Sequence, residues 1–305
     1  MNTMSTSADR TVPPATNAGH STEESPLLRL LALDQIAPDR FRGNCHEGGP
    51  GRAYGGHMAA LALAAGARTV ESARVAHSMH GYFIRSADPL LPVHLYVDRL
   101  RDGGRYTHRR VTVTQDGSEM FSLLASFKLP SDSLDKQGQM PASPDPDTLA
   151  DVYPTRANNT REPKSWPFRD ILQIRPIPLQ CNRIRQGDRD CTWFRVSDLL
   201  GDDPSLHATS LVYMSDLMLA QMTIANLWTD QAARRAVRLS SLDHSVWFHR
   251  PFRADEWLMY VKSSNTFSDG RGLAHGEFWS RDGRHVASIT QEVLGVGADP
   301  TPDST

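Results

Sequence analysis

Cysteine is scarce in this chain. The three present, Cys45, Cys181 and Cys191, are odd in number and widely spaced, so no disulfide framework is expected. No Cys-x-x-Cys pair or His/Cys cluster has metal-site spacing, and no metal is expected. An excess of charge of either sign is also missing. Against 33 Lys+Arg stand 35 Asp+Glu, and a net charge of −2 without a dense basic run excludes an electrostatic footprint for nucleic acid. No apolar run approaches the roughly 20 residues that cross a bilayer, so no membrane span is expected. Residues 1–24 are polar and rich in Ser, Thr and Pro, with no apolar segment of the secretory kind. Residues 298–305 are polar and carry no receptor-read address. Both ends are expected to be disordered tails, and the protein to be cytoplasmic.

What is present is 39% hydrophobic residues over 305 positions, enough for one large core or two ordinary ones. Self-alignment favours two. The first half reads HGYFIRSADPLLPVHLYV, GGRYTHRRVTVTQDG and SEMFSLLASFKLP; the second reads SVWFHRPFRADEWLMYV, DGRGLAHGEFWSRDG and RHVASITQEVLGV. In each half an Asp-Gly, at Asp116-Gly117 and at Asp282-Gly283, separates two alternating apolar runs, which is a hairpin signal.

A helical segment precedes each set of strands: Tyr54–Val70 (YGGHMAALALAAGARTV) and Leu206–Trp228 (LHATSLVYMSDLMLAQMTIANLW). Both are apolar on nearly every face, as helices buried on all sides are. Short strand candidates come before them: RFRGNCHE, ILQIRPIP and CTWFRVSDL. Residues 131–168, rich in Pro, Asp and Ser, read as a linker between a first unit at 25–130 and a second at 169–297. A fully apolar helix needs a surface that surrounds it, and a curved antiparallel sheet provides one. The expected fold is therefore α+β, a double hotdog. Two antiparallel sheets each wrap a long central helix and pack as an intramolecular pseudo-dimer. One strand resists the pattern: in LAHGEFWS, Leu273, His275, Glu277 and Trp279 share neither apolarity nor polarity.

Several stretches resemble the acyl-CoA thioesterase II (TesB-type) family. They are LLRLLALDQIAPDRFRG, AYGGHMAALALAA, HSMHGYFIRSADPLLPVHLYVDRLRDG, QMPASPDPD, LVYMSDLML, LDHSVWFHRPFRADEWL and RDGRHVASITQE, in the same order and spacing from about Ser25 to about Val296. The resemblance implies hydrolysis of acyl-CoA thioesters to free acid and CoA, by a water bound and activated by an Asp, a Thr and a Gln of the second hotdog. By position these are Asp216 of YMSDLML, Ser241 in place of the Thr, and Gln291 of ITQE. Serine keeps the hydroxyl but lacks the methyl that stiffens the rotamer. The family's Gly-Gly-Gln reads Gly55-Gly56-His57 here, which places His57 beside the expected cleft. The resemblance also implies no cofactor, a place in fatty acid metabolism, and a homodimer or homotetramer.

The residue types suit that chemistry. Thioester hydrolysis needs a positioned water, a group to take its proton, and donors for the oxyanion. Asp216 lies in an apolar run, where an unpaired carboxylate costs several kcal/mol, so it has either a partner or a task. Gln291 interrupts VASITQEVLGV and either orients the water or faces outward. Ser241 has no adjacent base and suits orientation better than attack. Gly55 and Gly56 either bring backbone N–H groups to the substrate carbonyl or pack a tight helix start. The internal alignment sets Gln291 against Ala125 and Ser241 against Ala76, so the first half lacks the trio. His57, His80 and His249 are either bonded structural residues or catalysts, and Arg85 and Arg250 suit ion pairs that fix loops better than clamps on a CoA phosphate. The run SSLDHSVWFHRP looks like a triad in line. Neighbouring strand residues point to opposite faces, so Asp243, His244 and Ser245 cannot converge, and they are expected to support the strand. Acyl transfer, hydrolysis on a carrier protein, and non-catalytic acyl-CoA binding are the alternative functions.

Overall fold

The computed structural model describes residues 25–152, 168–178, 189–225, 227 and 237–297. The expected tails, residues 153–167 of the expected linker, Cys181 and Trp228 lie outside the described residues.

The first half runs α1 (Pro26–Leu30), β1 (Asp34–Ala37), β2 (Arg40–Asn44), β3 (Glu47–Gly49), β4 (Arg52–Ala53), α2 (Gly55–Ala67), β5 (Val75–Phe83), β6 (Pro92–Asp102), β7 (Tyr106–Gln115) and β8 (Ser118–Lys128). The second runs α3 (Phe168–Ile171), β9 (Leu172–Pro176), β10 (Arg189–Val196), α4 (Pro204–Ser215), a 3-10 turn (Ala220–Ile224), β11 (Arg238–Ser241), β12 (Asp243–Phe248), β13 (Leu258–Ser268), β14 (Arg271–Ser280) and β15 (His285–Val296). Between β7 and β8, Asp116 and Gly117 have φ of 48° and 77°, the two positive values a type I′ hairpin turn requires. Asp269 and Gly270, with φ of 53° and 69°, turn β13 into β14 in the same way.

The strand order is β1-β2-β6-β7-β8-β5-β12-β15-β14-β13-β10-β9, with β11 on β15 and β3-β4 as a separate hairpin. The order on one side of the β5·β12 seam mirrors that on the other. The two expected antiparallel sheets are both present, one from each half. They meet edge to edge at β5·β12, from Ser78↔Trp247 to Asp243↔Tyr82, and form one 13-stranded sheet. The helices α2 and α4 lie against each other, and both contact strand β5.

The second expected helix is shorter than Leu206–Trp228. It begins where Asp203 accepts from the Ser205 N–H and Pro204 takes the first turn, both favourable starts. It ends at Ser215. Two distant phenols cap its last carbonyls: Tyr54 Oη donates to Tyr213 O at 2.8 Å and Tyr260 Oη to Ser215 O at 2.6 Å. These are acceptors that a further turn would have used. Met218 then adopts φ 63°, a left-handed conformation costly for a side chain of its size. Asp216 thus stands at the helix C-terminus and not within the helix.

Strand β14 alternates after all. Gly272, Ala274, Gly276 and Phe278 are buried, while Leu273, His275 and Glu277 are half-buried. The buried face is written in small residues because large neighbours lie across it. A Cβ on Gly276 would sit 2.4 Å from the Tyr260 ring, which stacks on Phe278 at 4.1 Å between centroids.

The internal equivalence holds in register. Ala76 faces Phe127 and Met79 faces Ala125, with an irregularity at His77 between them. Ser241 faces Val293, and the break at Leu242 leads into β12.

Candidate active site

The N-terminus of α2 meets the C-terminus of α4, and three other elements converge there. Asp216 Oδ2 accepts from the Gly56 N–H at 2.7 Å, and Asp216 Oδ1 accepts from Gln291 Nε2 at 2.6 Å. The same amide nitrogen donates to Ser241 Oγ at 2.8 Å. The structure therefore brings Asp216 from the helix end, Ser241 from β11 and Gln291 from β15 into one hydrogen-bonded group. Asp216 and Ser241 are half-buried and Gln291 is fully buried.

A carboxylate at a helix C-terminus is opposed by the helix dipole. Here the N-terminus of α2 faces it and offsets that cost. The contact demands glycine. A Cβ on Gly56 would lie 2.8 Å from Tyr213 O and from the Tyr54 ring, so both the close approach and the N–H bond need the bare backbone. At Gly55 a Cβ would come within 3.1 Å of Asp216 Oδ2 and of the Phe83 ring.

The group opens on a cavity of about 480 Å³ lined by Gly55, Asp216 and Ser241, with Met58, Phe83 and Leu217 as apolar wall. Gln291 sits behind that wall. Burial, with the charge of Asp216, pushes the Tyr54 and Tyr260 phenols well above their ordinary range. Both stay protonated and serve as donors to the helix end. Among the described residues, no three His, Cys, Asp or Glu side chains are placed to share a metal ion.

His57 does not reach the cavity, which corrects its expected place beside the cleft. It is fully buried, with Nε2 2.8 Å from Leu30 O and Nδ1 3.2 Å from the His46 N–H. The first contact requires the proton on Nε2 and the second a bare Nδ1. Burial, with His46 beside it, pushes its pKa down to about 3, so the ring is neutral. His80 and His249 lie on the exposed face, where they meet Ser245 Oγ at 3.2 Å and Ser288 Oγ at 2.8 Å. Arg250 forms the expected ion pair, with Asp135. Arg85 donates to Glu119 O at 2.9 Å and, among the described residues, has no ion pair.

The Asp-His-Ser run divides as alternation requires. Asp243 accepts from the Glu292 N–H at 2.6 Å and pins the break between β11 and β12. His244 points the other way, with Nε2 2.7 Å from Ser215 Oγ. Ser215 donates to Val212 O at 2.9 Å, so His244 is the donor in that contact. His244 therefore braces the residue before Asp216. Sequence reasoning missed this support and also missed Gly56 as the partner of Asp216. The Gly-Gly start was a visible signal, whereas the His244–Ser215 contact leaves none in the sequence.

A sequence model of the acyl-CoA thioesterase N-terminal domain matches residues 45–128, and one of the C-terminal domain matches residues 146–294. Human acyl-coenzyme A thioesterase 8 is 32% identical, over 87% of this chain and 87% of its own. The solved acyl-CoA thioesterase II TesB2 of Mycobacterium marinum is 37% identical, with a TM-score of 0.76, covering 88% of this chain and 97% of that one. A hot dog fold protein of unknown function from Alicyclobacillus acidocaldarius shares the fold at a TM-score of 0.69 and 20% identity, covering 88% and 97%.

Proposed function

Because the chain belongs to the acyl-CoA thioesterase II (TesB-type) family, we propose that it hydrolyses acyl-CoA thioesters to free acid and CoA with a water activated by Asp216, Ser241 and Gln291. The observation that carries this reading is a single amide nitrogen. Gln291 Nε2 bridges Asp216 Oδ1 and Ser241 Oγ at the wall of the cavity.

Asp216 is the general base. Its two oxygens are fixed by one donor each and keep lone pairs for a water. Ser241 accepts from Gln291, so its own O–H is free to orient that water. Among the described residues no imidazole lies within hydrogen-bond reach of Ser241 Oγ, which disfavours an acyl-serine route. As the water oxygen bonds to the thioester carbon, its proton passes to Asp216 and the carbonyl electrons move to oxygen. The helix start at Gly55 supplies backbone N–H polarity for that oxyanion. Collapse breaks the C–S bond, and the proton held by Asp216 neutralises the departing thiolate.

The test is free-thiol release across acyl-CoAs from short to long chain, with wild type and Asp216→Asn side by side. Release by wild type and its loss in the variant are expected. Retention of most of the rate by the variant would overturn the assignment of the base. Release by neither would favour a binder. The homodimer or homotetramer that the family implies is checked by light scattering on the same preparation.

A further inference from the structure

Among the described residues, positive φ belongs to six glycines, to Asp39, Asp116 and Asp269, and to Met218. Glycine enters this region without a steric cost, and the short polar side chain of aspartate tolerates it. Met218, at φ 63°, is the one large apolar residue held there. It stands two residues past Asp216, just beyond α4, where a glycine would turn the chain out of the helix unstrained. The backbone at this position therefore favours another residue, and the reason for methionine lies in its side chain. Leu217, Met218 and Ala220 of this turn line the cavity, as does Leu239 of β11. Leu219 is fully buried in the core and anchors the turn, whereas Met218 is half-buried at the cavity wall. A thioester carbon held at Asp216 has two neighbours, the acyl chain and the thiol arm of the carrier. That arm carries amides, which a thioether serves poorly as a hydrogen-bond partner. The acyl chain is apolar, and the unbranched, flexible methionine side chain packs well against it.

We propose that Met218 is a specificity-determining residue: its side chain closes the acyl end of the cavity and limits chain length, and the strained backbone is the cost of placing it there. The favoured substrate is an acyl chain that ends against the thioether, and longer chains are discriminated against. The catalytic consequence rests on the hydrolysis reading above, but the contact with an alkyl chain does not.

The experiment compares wild type, Met218→Gly and Met218→Ala. Calorimetry titrates S-alkyl coenzyme A thioethers, from S-butyl to S-dodecyl, which cannot be hydrolysed. Thiol release gives kcat/KM on the acyl-CoAs of matching length. Both substitutions remove the thioether, so the preference for the longest chain over the shortest is expected to rise roughly tenfold or more in each, in binding and in turnover. Melting curves separate backbone from side chain. Met218→Gly is expected to melt above Met218→Ala, the reverse of the usual order, because only glycine relieves the left-handed conformation. A preference unchanged in both variants, or an equal loss at every chain length, overturns the assignment. A preference that shifts in the glycine variant alone traces specificity to the turn and overturns the role of the side chain. Alanine melting above glycine overturns the link between strain and side chain. The expected shift in thioether binding, with no thiol release by wild type, would overturn the hydrolysis reading alone.

Discussion

In the first half the helix ends on Arg68, and the buried guanidinium of Arg109 donates just beyond it, to Thr69 Oγ1 at 2.8 Å and Thr69 O at 3.0 Å. In the second half the helix ends on Asp216. A cation at a helix C-terminus agrees with the dipole and an anion does not. The strands differ to match. Arg109 faces Ala125 across β7·β8, and Ala274 faces Gln291 across β14·β15. Where the first half spends its space on arginine, the second opens that space and lets a glutamine reach the carboxylate. One frame thus gives a filled helix end in one half and a charged, opened one in the other. The opened end is tolerable because the other half lends it Gly56.

The contrast can be broken from its strongest point downward. Removing the charge with Asp216→Asn is expected to lower kcat about 10² to 10⁴-fold, read by thiol release. Giving the second half the alanine of the first, with Gln291→Ala, is expected to cost about 10²-fold in kcat, since the residue orients both partners. Gly56→Ala attacks the loan between halves. It forces a Cβ against Tyr213 O and Tyr54, and a loss of about 1–3 kcal/mol in denaturant-derived stability is expected.

Ser241→Ala separates hydroxyl from methyl and is expected to cost about tenfold in kcat, one hydrogen bond's worth. Ser241→Thr keeps the bond and stiffens the rotamer, so a rate within about threefold of wild type is expected. The smallest effect belongs to the first half. The hydrogen bond from Arg109 holds the Asp102 carboxyl below the usual carboxylate range. A lowered folded-state pKa adds stability that is present above about pH 4 and lost as pH falls through the folded value. Asp102→Asn should therefore cost a little at pH 7, less in high salt because the carboxylate is exposed, and nothing at strongly acid pH. Melting curves at several pH values check the sign.

The hairpins were legible because an Asp-Gly turn is settled by its own two residues. The meeting of Asp216, Ser241 and Gln291 in one hydrogen-bonded group was legible by position, through the resemblance, and by the absence of such a group from the first half. The end of α4 was not, because Tyr54 and Tyr260, which cap it, are far away in the chain. The apolar run after Asp216 therefore read as more helix. Strand β14 hid its buried face in glycine, whose place in a core is visible only beside the Tyr260 ring. Gly56 was singled out, either as a donor to substrate or as a tight helix start, and its close packing bears out the second. Its real acceptor lies 160 residues away. Pairing of the two sheets was expected of a pseudo-dimer, but its register, from Ser78↔Trp247 to Asp243↔Tyr82, is a contact between edges that hydrophobic pattern does not encode. His57 looked exposed to a cleft because the resemblance placed its neighbours there. Its backbone partners, Leu30 and His46, were outside any motif.

The seam at β5·β12 makes the molecule divisible in a particular way. Cut between the halves, one fragment carries Asp216 with Ser241 and Gln291 and the other carries the Gly56 N–H that holds Asp216 Oδ2, so neither keeps the whole hydrogen-bonded group. Each fragment also presents a bare strand edge whose natural complement is the other.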